Sequence, residues 1–126
     1  MKKYFTLFII LHLITVINTS CCLIDPMTKA QNLIKTGKFE DGIKILEKEY
    51  ALQPNSIPIK SVLAKSYSDY GLALCQDENK PPKVKYPKAK EQFAMALELN
   101  PYLTEAKDMY EMIEKIQASF TANKLN

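Results

Sequence analysis

A chain of 126 residues allows one ordinary domain, and 47% hydrophobic residues supply a modest core. With 25% charged residues, 7 Pro and only 3 Gly, a collagen-like or largely disordered chain is excluded. All 17 basic residues are lysine against 14 acids, and without arginine's planar fork no sequence-specific nucleic-acid binding is expected.

Lys2 and Lys3 precede a run from Tyr4 to Ile17 that is apolar except for Thr6, His12 and Thr15; Asn18, Thr19 and Ser20 then lead into Cys21. That sequence of a basic, an apolar and a small-residue region has the order of an export signal. The uncharged stretch before Asp25 also matches the roughly 20 residues that span a bilayer, so a retained anchor helix fits as well. The polar trio favours cleavage, because a peptidase needs small side chains there and a spanning helix gains nothing from them.

Ser20 and Cys21 resemble the end of a bacterial lipoprotein signal, with Thr19 acceptable and Asn18 standing where an aliphatic residue is usual. The resemblance implies a signal peptide over 1–20, a mature chain over 21–126 and acyl chains on Cys21. Several acyl chains together hold a protein firmly, at about 0.8 kcal/mol per buried methylene. The domain is then exported and held to a cell-envelope membrane, facing away from the cytoplasm. Without Lys2 and Lys3, 15 lysines face 14 acids, so the mature surface is nearly neutral.

The same segment contains His12, the one histidine. With Cys21 acylated, Cys22 and Cys75 are the remaining thiols, too few for a Cys/His zinc set, and imidazole-dependent nucleophiles are unavailable. No metal or other cofactor is expected. A Cys22–Cys75 disulfide is permitted in an oxidising compartment, but one cysteine adjoins the membrane and the other sits in a predicted helix, so unpaired thiols are expected.

From Asp25 onward apolar residues recur at three- and four-residue spacing, which predicts an all-α domain. Asp25 and Pro26 suit the start of a first helix carrying Ala30, Leu33 and Ile34 and stopping at Gly37. A second carries Phe39, Ile43, Leu46 and Tyr50 and ends near Gln53, packing antiparallel on the first. A third begins near Ile57 or Pro58, carries Val62, Leu63, Tyr67, Tyr70, Leu74 and Cys75, and runs through Gly71 to about Glu78 or Asn79. Pro81 and Pro82 then exclude continuation. A fourth helix is predicted over 86–99 with Ala89, Phe93, Ala96 and Leu97 inward. A fifth, over 104–122, has Thr104 as N-cap and Ala106, Met109, Tyr110, Ile113 and Ile116 inward.

The halves repeat. Ala30, Leu33 and Gly37 lie 34 residues before Ala64, Tyr67 and Gly71, whereas Phe39, Gly42, Leu46 and Pro54 lie 47 before Tyr86, Ala89, Phe93 and Pro101. The difference places a 13-residue insertion between Gly71 and Tyr86. This pattern of small, aromatic, glycine and proline positions resembles the tetratricopeptide repeat (TPR), strongly in the second unit and more loosely in the first, where Gly42 and Glu49 stand at alanine positions. The resemblance implies a TPR-like solenoid of antiparallel helix pairs: repeat one over 25–56, repeat two over 57–103 and a capping helix over 104–122. Independently of the family, Ala64, Ala89 and Ala96 let helices approach while Phe39, Tyr67 and Phe93 fill the space beside them.

The resemblance further implies a protein or peptide partner on the concave face, at Met27, Gln31, Ile34 and Lys35 of the first unit and Ser61, Lys65, Ser68 and Asp69 of the second. The alternative is a solvated face without a ligand. Met27, Gln31 and Val62 replace the polar residues that some members use to clamp a terminal carboxylate, which disfavours a chaperone-tail adaptor. Because two repeats are fewer than solenoids usually need, the last helix keeps an apolar face for a partner or a second copy.

In the insertion, Lys80, Lys83 and Lys85, followed by Lys88 and Lys90, read as a solvated, mobile loop, with an anionic membrane or acidic partner as the alternative. The adjacent acid pairs Glu40–Asp41 and Asp77–Glu78 point in different directions and make no acid–base site, so no enzyme is expected. The function that follows is a membrane-anchored adaptor of the cell envelope; the alternative is a structural subunit of an envelope assembly or transport complex.

Overall fold

The computed structural model describes residues 25–122. The segment read as an export signal, Cys21 and Cys22 lie outside the described residues. All regular structure within them is helical: α1 (Pro26–Lys35), α2 (Phe39–Leu52), α3 (Ile57–Gln76), α4 (Pro82–Leu99) and α5 (Thr104–Ala122).

Local sequence accounts for the ends of α1. Asp25 Oδ2 accepts the Thr28 N–H at 3.1 Å, and Pro26 enters the first turn, where its missing N–H costs nothing. At the other end Gly37 adopts φ +80, while the Lys38 N–H donates to the Leu33 carbonyl at 2.9 Å and the Gly37 N–H to the Ile34 carbonyl at 3.0 Å. This is the Schellman arrangement, and it reverses the chain into α2 within residues 36–38.

Each helix packs chiefly on its neighbours in sequence, with the broadest interfaces between α3 and α4 and between α1 and α2. The polar contacts fix the directions. Tyr67 donates to Glu47 at 2.5 Å and Tyr70 to Glu40 at 2.6 Å, so positions rise along α2 as they fall along α3. The Phe39 and Tyr70 rings stack across the same interface, 5.3 Å between centroids. The core contains Ala30, Leu46, Leu63, Ala64, Ala89, Phe93, Ala96, Ala106 and Ile113, all buried. Met109, Tyr110 and Ile116, expected inward on α5, are half-buried.

Close approach explains two of the glycines. A Cβ on Gly42 would lie 2.6 Å from Ile34 Cγ1 and 2.8 Å from the Ala30 carbonyl oxygen, so α1 and α2 meet through a position that admits no side chain.

Three boundaries differ from the expectation. α3 stops at Gln76 because Asp77 is extended, with its carboxylate accepting the Asn79 N–H at 2.9 Å. α4 starts at Pro82, four residues before Tyr86, since the fixed φ of proline suits a first helical turn. Pro87 lies within α4, and Lys83, whose carbonyl it leaves without an i+4 donor, is exposed to water. The insertion is thus mostly helix, extending α3 and α4 around a short connection at 77–81. Finally, the Lys107 N–H donates to the Leu103 carbonyl, so Leu103, not Thr104, precedes the first turn of α5.

Candidate functional site

Because the short connections alternate helix direction, α1 and α3 both lie beside α2, and a groove of about 290 Å³ runs between them. Gln31, Ile34 and Lys35 line one wall and Ser61, Val62, Lys65, Ser66 and Asp69 the other. These positions recur at three- and four-residue steps, one stripe on each helix.

Ile34 and Val62 give the groove an apolar floor, both half-buried against the core. Ser66 Oγ donates back to the Val62 carbonyl at 2.7 Å, so its hydroxyl is engaged within α3. Lys65 Nζ reaches Asp69 at 2.8 Å, one helical turn away. Such an exposed pair contributes little to stability, about 0.3–0.5 kcal/mol, so it can be exchanged for a ligand at small cost. Lys35 stands exposed at the rim.

Six of the eight residues expected on the partner face are brought together here: Gln31, Ile34, Lys35, Ser61, Lys65 and Asp69. Met27 is half-buried against the core at the start of α1, outside the lining. Ser68 departs from the expected exposed position. It is 1% exposed, on the side of α3 shared with Ala64 and Gly71, where α4 packs. Its Oγ has no hydrogen-bond partner, so it fills space as a small side chain. Ser66 is absent from the sequence expectation, and Val62 enters it at a carboxylate-clamp position of the repeat but not on the partner face. Val62 reads as core by spacing, and Ser66 signals only through its helical register with Val62 and Asp69.

A second depression lies among α2, α3 and α4, with Glu40, Glu47, Tyr67, Tyr70, Lys88 and Glu91 on its walls. Burial, reinforced by the hydrogen bond to Glu40, pushes the Tyr70 phenol up to about 12. Burial and the bond to Glu47 raise Tyr67 in the same direction. Both phenols stay protonated as donors to carboxylates, which fits structural ties between helices better than proton transfer near neutral pH. The Cys75 thiol is also pushed up by burial, partly countered by Lys85, which disfavours the reactive thiolate.

The lysine-rich insertion is largely engaged. Lys80 pairs with Asp77 at 3.0 Å, Lys85 donates to the Asp77 carbonyl at 3.1 Å, and Lys90 bonds Glu114 at 2.8 Å while lying 4.8 Å from the Tyr110 ring centroid. The Lys80 hydrogen bond, with the Asn79 N–H, holds the Asp77 carboxyl below its ordinary value.

Among the described residues no group of three or more His, Cys, Asp or Glu is placed to hold a metal ion, and no helix is long and apolar enough to cross a membrane. No protein-family model, curated protein or solved structure matches the chain.

Proposed function

We propose that the chain is a membrane-anchored adaptor of the bacterial cell envelope, two TPR-like helix pairs with a capping helix, that binds a polypeptide in the groove between α1 and α3. The observation that carries this reading is the groove itself: an apolar floor of Ile34 and Val62 between polar rims that include Lys35 and the Lys65–Asp69 pair. Such a surface suits an extended segment or helix with an apolar side chain for the floor and polar or acidic flanks for the lysines. The acyl anchor on Cys21 rests on the signal-like order of residues 1–21.

Selection of random linear peptides on the purified domain tests the groove. Enriched peptides should lose about tenfold or more in affinity on Ile34→Glu or Val62→Glu, because an unpaired carboxylate is costly to desolvate. Lys48→Glu, on the far side of the α1–α2 pair, should leave binding unchanged. Peptides indifferent to both floor substitutions would remove the groove from the proposal. Mass spectrometry of the mature N-terminus tests the anchor: acylated Cys21 supports it, and an intact Met1 replaces it with a spanning segment. A stoichiometric companion that survives high salt after mild detergent extraction would favour the structural-subunit reading.

A further inference from the structure

The two ends of the helix stack differ in charge. At one end lie the start of α1, the α2–α3 connection and the α4–α5 connection; Pro26 lines the same depression as Lys48 and Glu49, and Tyr50, Ala51 and Leu63 the same depression as Glu98 and Leu99. Residues 51–59 and 99–104, which are the two connections at this end with the helix residues flanking them, contain no charged residue, and Asp25 stands beside them at the start of α1. The opposite end holds residues 35–41 and 77–85, with Lys35, Lys38, Glu40, Asp41, Asp77, Glu78, Lys80, Lys83 and Lys85 among them.

This end also bears the three most exposed large apolar side chains of the described residues: Tyr102 at 90%, Ile57 at 79% and Leu52 at 68%. Water is a poor environment for such a set, and the interfacial zone of a bilayer suits it, with tyrosine at headgroup level. Asp25, Lys60 and Glu105 border the connections and can keep their charges in the headgroup layer.

The tether fixes which end meets the bilayer. Three residues lie between Cys21 and Asp25, four steps with a reach of at most about 14 Å, and Asp25 caps α1 at the end that carries these connections. We propose that this end rests on the lipid surface, Leu52, Ile57 and Tyr102 entering the interfacial layer, so that the helices stand away from the membrane. The proposal builds on the acyl-anchor reading and commits to lipid as the occupant, because an acylated Cys21 is tethered within that short reach of this end.

The chain has no tryptophan, so single tryptophans report position without background. Full-length Leu52→Trp, Tyr102→Trp and Asn79→Trp chains, processed in a bacterial host, are reconstituted into phosphatidylcholine–phosphatidylglycerol vesicles with brominated acyl chains. For chains that float with the vesicles, Leu52→Trp and Tyr102→Trp should lose about half their emission or more, as expected at interfacial depth, and Asn79→Trp should be unaffected. Flotation with no quenching at positions 52 and 102, or with quenching at 79 instead, overturns the lipid contact while leaving the anchor standing. If the first two are unquenched but cross-link between copies, the patch is covered by a second copy and the proposal fails. Chains that do not float overturn both the contact and the anchor.

Discussion

The ring of Phe93 occupies the space that a side chain at Gly71 would need: a Cβ there would lie 2.8 Å from both Cε1 and Cζ. Helix propensity alone favours alanine over glycine by about 1 kcal/mol within α3. Phe93 is fully buried and has no room to retreat, so the contact outweighs the propensity. Gly71→Ala should destabilise by about 1–3 kcal/mol in urea unfolding. Combined with Phe93→Leu, it should cost less than the two changes summed.

Gly42→Ala should behave differently, because one of the obstructing atoms is the Ala30 carbonyl oxygen. Backbone does not yield by changing rotamer. A loss of about 1–3 kcal/mol is expected, and trimming Ile34 to alanine should not restore it, as thermal unfolding of the single and double variants will show.

Ala89 is fully buried on α4, between the half-buried Tyr86 and the buried Phe93. Ala89→Leu adds a branched side chain where helices meet and should cost about 1–3 kcal/mol, whereas Phe93→Ala opens a cavity and should cost about 3–5 kcal/mol. Circular dichroism through a urea titration ranks the two.

Alkaline titration tests the tyrosine–glutamate ties. Tyr70 has a folded-state pKa of about 12, above the value of 10.0 taken for an unperturbed tyrosine, so the folded state holds the phenolic proton more tightly than the unfolded state does. The stabilisation from this group is complete below pH 10 and is lost as pH rises from there through about 12. Tyr67 adds in the same direction. Urea midpoints should fall with pH above 10, and Tyr70→Phe should make that fall shallower.

Much of the helix pattern was legible because it rests on local rules. Gly37 marks the end of α1 since the left-handed turn needs it, and Ala64, Ala89, Phe93 and Ala96 sit at helical spacing and are all buried. Pro81 and Pro82 mark the break after α3 as expected, yet Pro82 also begins α4, four residues before the expected start. Gly71 reads as a tolerated mid-helix cost because Phe93 lies on another helix. Ser68 reads as groove-facing from its position in the repeat, although it lies on the side of α3 that packs on α4 and is buried there. The ties from Tyr67 to Glu47 and Tyr70 to Glu40 span 20 and 30 residues, beyond the reach of any local pattern.

The groove takes one wall from the α1–α2 hairpin and the other from α3, which belongs to the broad α3–α4 pair. Between those two blocks, the α2–α3 seam is much slimmer than either hairpin's own interface. Motion across this seam strains the Phe39–Tyr70 stack and the Tyr67–Glu47 and Tyr70–Glu40 hydrogen bonds, and it changes the separation of Ile34 from Val62 more than any distance within a hairpin. The width of the groove is therefore set by these few ties, and amide exchange across α2 and the first half of α3 should slow when a ligand fills it.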